Sequence, residues 1–222
     1  MVELNPTFNT AAELTKGQKT ALKILEAAGR CIAQIGAEKT SITAIAKEAE
    51  LKRSLIAYHF PKKEDIFYKV MVHIMFQFGR NFLPLRKMPS EPKAALSTLI
   101  AGYMDYFEEY PHYFHCYLHC FYLASVHERY RILNTKILQR ILFRIQFAIK
   151  KLLVHEKIPY NSREIEDFSK VMYSNLVGTI MSYYTVVQDR PYEEFKQRCL
   201  KILDDEIELF LTYMRAQSQK AQ

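Results

Sequence analysis

Apolar residues recur every three or four positions along most of the chain, which is the period of a helix with one buried face. In the first such stretch the spacing runs up to Gly36, a residue type that favours a left-handed helix end. Prolines interrupt the pattern further on, where they end one helix or open the next. The pattern predicts helices at about 16–36, 42–49, 53–59, from about 63 onward, and at about 93–110, 111–124, 127–155, 162–188 and 191–215.

Composition supports this all-α prediction. The 222 residues include only six glycines and eight prolines, and 49% are hydrophobic, so the chain is able to bury a sizeable core. Residues 1–15 are polar, lack Lys and Arg, and contain Pro6, which predicts a flexible N-terminal arm.

The formal charge of +7 favours a polyanionic partner, either DNA or an anionic membrane. Part of the excess lies near the N-terminus, since residues 1–63 hold ten Lys/Arg against six Asp/Glu. The longest uncharged stretch, 171–188, contains Ser, Asn, Thr, Gln and three Tyr, which makes it a poor membrane helix. The four cysteines form no CxxC pair and the chain begins without a secretory signal pattern, so we expect a cytoplasmic protein with no membrane partner.

Two short predicted helices, 42–49 and 53–59, follow a longer first helix. Pro61 keeps the third helix short, because its ring clashes with the preceding turn and it has no N–H to donate. Lys62 and Lys63 then place positive charge beside the short helix. Two short helices joined by a tight turn form a helix-turn-helix, whose second helix enters the major groove of DNA. A three-helix packing with surface lysines and no DNA partner is the alternative.

This region resembles the tetracycline-repressor (TetR) family of bacterial transcriptional regulators. The resemblance covers about 50 residues, and the rest of the chain matches in length, helicity and the placing of its last two helices. The residues that carry it are Gly36, Thr40-Ser41-Ile42, Ile45-Ala46, Ala49, Leu51, Ile56, His59-Phe60-Pro61, Lys63-Glu64 and Phe67.

The resemblance implies a homodimer that recognises a palindromic operator on double-stranded DNA and, more in keeping with a repressor than an activator, leaves it when a small effector binds. It implies a DNA-binding domain at 16–62 and an effector-binding and dimerisation domain at 63–222. Thr40, Ser41 and Lys63 are then expected at phosphates, and the segment from Lys52 to His59 in the groove. The predicted DNA-binding residues are Thr40, Ser41, Thr43, Lys52, Arg53, Ser54, Tyr58, His59 and Lys63.

Four positions depart from the family pattern. Glu50 replaces a frequent turn glycine, Lys52 and Lys62 replace capping residues, and Ala57 replaces a usual tyrosine. Loss of a cap costs about 1 kcal/mol, whereas each lysine adds a possible phosphate contact. Neutral drift at exposed positions is the alternative explanation.

Residues 103–123 contain nine Phe or Tyr, a density that suits an apolar cavity with hydroxyl groups that orient a ligand. We therefore expect a hydrophobic or aromatic effector, with core packing as the alternative explanation. The predicted ligand-binding residues are Tyr103, Tyr106, Phe107, Tyr110, Phe114, Tyr117, His119, Phe121, Tyr173 and Tyr183.

His112, His115, Cys116 and His119 lie three and four positions apart, with Cys120 beside them. On a helix these side chains share one face and offer ligands suited to zinc or copper, so a metal-responsive regulator is an alternative function. A thiol-responsive pair, Cys116 and Cys120, is a further alternative, although a disulfide between helical positions i and i+4 is geometrically awkward. Because closed metal sites usually gather ligands from several elements, we assign no metal and no cofactor.

The last two predicted helices carry long apolar stripes. The resemblance implies that these stripes pair across a two-fold axis, and closure of the chain's own core is the alternative. The predicted dimer residues are Leu176, Ile180, Leu203, Ile207 and Phe210.

An enzyme is the function class that the sequence supports least. The chain has no P-loop, GxSxG, HExxH or Rossmann glycine pattern. A basic helical adaptor for protein or membrane surfaces would leave the Thr40 to Phe67 set unexplained, so we expect a regulator and no catalytic residues.

Overall fold

A computed structural model describes residues 14–81, 88–186 and 190–220, with side chains given outside 75–81. The described residues form helices joined by short connections, which confirms the all-α prediction. The helices are α1 (Lys16–Lys39), α2 (Ile42–Glu48), α3 (Arg53–His59), α4 (Lys63–Asn81), α5 (Pro92–Glu109), α6 (Pro111–Val126), α7 (Glu128–His155), α8 (Ser162–Thr185) and α9 (Tyr192–Lys220).

Of the described residues, 14–81 and 110–134 form the first of two compact units. Helix α1 lies at its centre and packs against α2, α3, α4 and α6. Its buried face includes Ile24, Ala28 and Ile32, which follow the spacing predicted from the sequence. Ile45 and Ile56 are fully buried and anchor α2 and α3 to this core.

The second unit contains the described residues 88–109, 135–186 and 190–220. Helix α9 packs against α5 and α8, and the rest of α7 completes the unit. Two tyrosines fasten the later helices to α5, because Tyr184 and Tyr192 donate hydrogen bonds of 2.7 Å to the carbonyl oxygens of Phe107 and Met104.

The end of α1 differs in detail from the prediction. Gly36 has a positive φ of 79° with ψ 156°, so the regular helix is interrupted there as expected. The chain nevertheless makes one more helical turn, to Lys39, before Thr40 caps it with backbone and side-chain hydrogen bonds to the Gly36 carbonyl.

Most of the predicted arm, residues 1–13, lies outside the described residues, and Thr15 is the N-cap of α1. The sequence predicted a boundary at residue 62 between a DNA-binding domain and an effector-binding and dimerisation domain. The two compact units are defined by packing and not by function, so that boundary stays a prediction. Within the described ranges, no helix combines the length and the apolar character that crossing a membrane requires.

Candidate nucleic-acid interface and effector region

Helices α2 and α3 form the helix-turn-helix. Ser41 caps α2 by accepting a 3.1 Å hydrogen bond from the Ala44 N–H. The turn closes with hydrogen bonds from the N–H groups of Glu50 and Leu51 to the carbonyls of Lys47 and Ala46. Glu50 holds a φ of 52° in this turn, the conformation that favours glycine. The sequence departure at this position therefore has a conformational cost.

Helix α3 exposes almost all of its side chains. Only Ile56 is fully buried within it, and Phe60 directly after it is 9% exposed. Tyr58 is 80% exposed and contacts the edge of the half-buried His59 ring, with centroids 5.3 Å apart. A seven-residue helix that is anchored on one side chain and exposed elsewhere can be inserted into a groove.

Lys52, Arg53 and Ser54 are exposed at the start of α3. Lys52 occupies the N-cap position and makes no capping hydrogen bond through its side chain, so the first N–H groups of α3 lack that partner. Free N–H groups and nearby cations favour phosphate binding.

The residues expected at phosphates have different environments. Ser41 and Thr43 are exposed beside the start of α2. Thr40 is fully buried, and its hydroxyl donates to the Gly36 carbonyl at 2.8 Å, so the structure gives it a capping role instead of a surface position. Lys63 donates to the Glu38 carbonyl at 3.3 Å and lies 5.0 Å from the Phe67 ring centroid, which holds its ammonium group near the α1–α2 connection.

Positive charge prevails along this face. Residues 51–63 contain Lys52, Arg53, Lys62 and Lys63 and no acidic residue. Two acidic groups from neighbouring segments are paired, since Glu48 binds Arg30 at 2.7 Å and Asp65 binds Arg129 at 3.2 Å. These pairs reduce the repulsion that free carboxylates would exert on a polyanion.

The ten predicted ligand-binding residues fall into two groups. Tyr103, Tyr106 and Phe107 are buried on α5, with Tyr173 and Tyr183 half-buried on α8 in the same unit. Residues 110–121 belong to the other unit. There Phe114 and Tyr117 are buried, while Tyr110, His119 and Phe121 are half-buried. None of the ten lines the three cavities described below, so their ligand role stays a prediction.

The histidine and cysteine face of α6 does not form a ligand cluster. His115 is exposed, whereas Cys116 is fully buried and its thiol donates toward the Gly29 carbonyl at 3.7 Å. Burial raises the pKa of Cys116 to about 12 and that of Cys120 to about 11, so neither is a thiolate near neutral pH. Among the described residues, no three His, Cys, Asp or Glu side chains converge on a metal-sized site.

The largest of the three cavities is an open groove of about 930 Å³ between α5, α8 and α9. Asn175, Gly178, Ile202 and Glu206 line it, and Asn175 donates to Glu206 at 2.8 Å. Two predicted dimer residues, Leu176 and Leu203, also line it, whereas its exposed residues lie outside the apolar stripe that periodicity identifies.

Two smaller cavities lie along α7. One of about 170 Å³ is lined by parts of α5 and α7 and by residues 88–90, and one of about 350 Å³ is lined by α7 alone. Arg144 lines both. The sequence signal that could have indicated this region is the run 129–155, which carries seven Lys/Arg and no Asp/Glu.

The five predicted dimer residues are buried in their own chain. Ile207 is fully buried, and Leu176, Ile180, Leu203 and Phe210 are each 9% exposed or less. Their burial favours the alternative in which these stripes close the core of the second unit. The exposed apolar residues of the same helices include Val171, Ile202, Leu209 and Tyr213.

Comparison with known proteins finds a family model that matches part of the chain. Residues 24–70 match the model of the bacterial regulatory proteins of the tetR family. These residues contain the end of α1, both helices of the helix-turn-helix and the start of α4.

Two curated relatives match the chain over part of its length. The transcriptional repressor NicS of Pseudomonas putida is 29% identical over 107 residues, 48% of this chain and 50% of the relative. The transcriptional regulator AcrR of Shigella flexneri is 31% identical over 91 residues, 40% of this chain and 42% of the relative. The chain thus matches half or less of the length of these relatives.

The fold has close counterparts among solved structures. A transcriptional regulator from Saccharomonospora viridis in complex with choline superimposes with a TM-score of 0.72 at 18% identity. The superposition covers 84% of this chain and 96% of the other. At this identity the likeness establishes the fold.

Proposed function

Because the chain belongs to the TetR family of bacterial regulatory proteins, we propose that it is a homodimeric repressor that binds a palindromic operator and is released by a small effector. The observation that carries this proposal is the exposure of α3. Ile56 anchors this helix, while Arg53, Ser54 and Tyr58 remain free to meet DNA. The repressor role follows the description of one curated relative.

Different residues of this surface are assigned different tasks. Arg53 lies in the first turn of α3 and is exposed, so its guanidinium can form paired hydrogen bonds with a guanine edge. Ser41, Thr43 and Lys63 lie around the start of α2 and contact phosphates, which positions α3 without selecting a sequence. Thr40 supports this arrangement from within by capping α1.

The test separates sequence recognition from phosphate binding. Selection from random duplex DNA by the full-length protein is expected to enrich a palindrome, which then serves as a probe for fluorescence anisotropy across salt concentrations. Arg53→Ala is expected to lose about 1–3 kcal/mol on the selected site and little on random DNA. Lys63→Ala is expected to weaken binding to both and to reduce the salt slope by about 1.

Failure to enrich any site would refute operator recognition. An unchanged salt slope for Lys63→Ala would remove its phosphate role. Lys150, exposed on α7 in the other unit, provides the matched control, because Lys150→Ala removes the same charge outside both the helix-turn-helix and the proposed dimer interface.

The exposed faces of α8 and α9 are proposed as the dimer interface. The 930 Å³ groove and the exposed apolar residues Val171, Ile202 and Leu209 lie on these helices. An exposed apolar surface is characteristic of protein interfaces. Ile207 is fully buried and packs in the core below these exposed residues. This proposal keeps the predicted helices and, among the predicted residues, Leu176 and Leu203, which line the groove, and it adds exposed residues of the same helices.

A small hydrophobic or aromatic effector is proposed to act on the helical body. The support for this proposal is the density of aromatic residues in the second unit, where Tyr103 and Tyr106 of α5 and Tyr173 and Tyr183 of α8 combine apolar rings with hydroxyl groups. The metal-responsive alternative lacks comparable support, since the thiols of Cys116 and Cys120 are neutral near pH 7 and Cys116 is fully buried. The curated relatives are regulators, and we propose no catalytic activity.

A further inference from the structure

Helix α7 carries a concentration of positive charge that DNA binding by α3 does not use. Residues 129–155 contain seven Lys/Arg and no Asp/Glu, so the formal charge of this segment is as large as the net charge of the whole chain, +7. Two of them make polar contacts within the first unit, where Arg129 pairs with Asp65 and Arg131 donates to the carbonyls of Ala124 and Ser125. The other five, all on the part of α7 in the second unit, are Lys136, Arg140, Arg144, Lys150 and Lys151.

The 170 Å³ cavity brings two of these cations to an apolar surface. Arg144, Phe147, Ala148 and Lys151 line it from α7 at spacings of three, one and three, which place them on one helix face. From α5 it is lined by Pro92, Ala95 and Leu99, and from the preceding segment by Met88, Pro89 and Ser90. No acidic residue is among these lining residues.

Aromatic side chains lie near both cations. The Lys151 ammonium lies 4.8 Å from the centroid of the Phe147 ring, and this ring lines the same cavity. Burial raises the pKa of the Tyr103 phenol on α5, and the charge of the nearby, half-buried Arg144 opposes that rise. Cations fixed before binding lose less conformational entropy when an anion arrives.

The second cavity extends the positive surface. Lys136, Gln139, Arg140, Phe143 and Arg144 line its 350 Å³, again without a carboxylate. Glu91 lies just before α5, where its carboxylate accepts hydrogen bonds from the backbone N–H groups of Lys93 and Ala94, and it lines neither cavity. The α7 cations therefore produce a combined field that attracts anions to both cavities, and Arg144 lines both of them.

We propose that the effector is a small organic carboxylate, and that it binds in the α5–α7 cavity with its carboxylate between Arg144 and Lys151. Arginine and lysine together supply directed hydrogen bonds and a point charge to a carboxylate. Pro92, Ala95 and Leu99 contact the aliphatic or aromatic body of the ligand. A cavity of 170 Å³ is smaller than the about 300–1,000 Å³ typical of drug-sized ligands, so the ligand is small. This inference rests on the effector-controlled DNA binding proposed above.

Benzoate and its uncharged counterpart benzamide provide the probes. Calorimetric titration of the full-length protein is expected to show benzoate binding at least about tenfold tighter than benzamide, a difference of about 1.4 kcal/mol. Lys151→Gln is expected to weaken benzoate binding by at least about tenfold. Lys150→Gln is the matched control, because Lys150 is the adjacent exposed cation and lines neither cavity.

Arg144→Lys keeps the charge at the half-buried position and is expected to bind benzoate more weakly than the natural protein but more tightly than Arg144→Gln. Since the charge of Arg144 acts on the buried Tyr103, circular dichroism is used to check that these two variants fold. Lys151 is exposed, so Lys151→Gln keeps the proposal falsifiable if the Arg144 variants fail to fold.

A second measurement tests whether benzoate releases the protein from DNA. Benzoate at millimolar concentration is expected to release the selected duplex from the natural protein and not from Lys151→Gln. Equal binding of benzoate and benzamide, equal losses for Lys150→Gln and Lys151→Gln, or benzoate binding that leaves DNA affinity unchanged would each overturn the proposal.

Two outcomes distinguish the two hypotheses. Operator binding without benzoate binding rejects the carboxylate site and retains the regulator. If Lys151→Gln lowers DNA affinity but leaves benzoate binding unchanged, the α7 cations form a nucleic-acid surface, and the carboxylate site is rejected.

Discussion

Gly36 illustrates how a single residue sets the geometry of the DNA-binding unit. Its φ of 79° and ψ of 156° lie in a region that is essentially restricted to glycine. The carbonyl of Gly36 also accepts hydrogen bonds from both the N–H and the hydroxyl of Thr40. The residue therefore both bends the end of α1 and directs the chain into α2.

Gly36→Ala is expected to destabilise the protein by about 1–3 kcal/mol through backbone strain. A methyl group at this position would meet no heavy atom within 4 Å, so steric overlap adds nothing to the loss. Urea denaturation measures the change, and Gly17→Ala in the first turn of α1 is the control, with an expected gain of up to about 1 kcal/mol. Equal stability of Gly36→Ala and the natural protein would show that the positive φ is not required.

His73 is a second residue with a defined energetic consequence. It is 8% exposed, and burial lowers its pKa to about 4. Within the described part of the chain its Nε2 has no hydrogen-bond partner, and its ring contacts the edge of Tyr113. As pH falls below the unfolded-state pKa of about 6.5, His73 becomes protonated in the unfolded chain but stays neutral in the folded protein. The free energy of unfolding therefore decreases until about pH 4, where the folded protein is protonated as well.

The loss attributable to His73 between about pH 7 and about pH 5 is expected to be about 2 kcal/mol. His73→Leu removes this ionisation and is expected to reduce the loss by that amount, as measured by urea denaturation at both pH values. Burial also lowers the pKa of His112 and of His119, so part of the pH dependence persists in the variant. An identical pH dependence in the variant would contradict the assignment.

At the scale of the element, α3 combines weak capping with strong positive charge. Lys52 stands at its N-cap without a side-chain hydrogen bond, and Glu50 in the preceding turn holds a positive φ. Both features reduce the intrinsic stability of a helix only seven residues long. The same lysine contributes charge where α3 is proposed to meet phosphates.

Lys52→Ser is expected to stabilise the protein by about 1 kcal/mol, because serine can cap α3. It is also expected to weaken DNA binding and to reduce the salt slope by about 1. Thermal denaturation and salt-dependent anisotropy measure the two effects, with Lys150→Ser on α7 as a control for charge alone. If Lys52→Ser bound DNA as tightly as the natural protein, the lysine would have no contact with phosphates.

For the whole molecule, the decisive contrast on α8 and α9 is between inward and outward residues. Ile202 is 53% exposed and lines the large groove, whereas Ile207, five positions later, is fully buried. A charge on the exposed side affects association, and a charge on the buried side affects folding.

Ile202→Lys is expected to give folded monomers that lose operator binding, because a palindrome requires two linked half-site contacts. Light scattering reports the mass, and circular dichroism reports folding. Ile207→Lys is expected to unfold the protein, because Ile207 is fully buried. Val154→Lys is the control and is expected to remain dimeric, because Val154 is an exposed residue of α7, outside the proposed interface. A dimeric Ile202→Lys would move the interface away from this groove.

The sequence determined the helical class, the succession of helices and the helix-turn-helix, because these depend on local spacing, on capping residues and on proline. Periodicity also identified the apolar stripes of the last two helices. It could not show which neighbours cover a stripe, and for that reason the residues predicted for the dimer proved to be buried in the chain's own core.

Only the tertiary structure decided which side chains share a surface. The family resemblance implied that Thr40 contacts a phosphate, but its hydroxyl donates to the Gly36 carbonyl inside the unit. His115 and Cys116 are adjacent in sequence, yet one is exposed and the other buried. Arg144 and Lys151 of α7 line one cavity with Leu99 of α5, a combination set by the packing of helices that lie far apart in the chain.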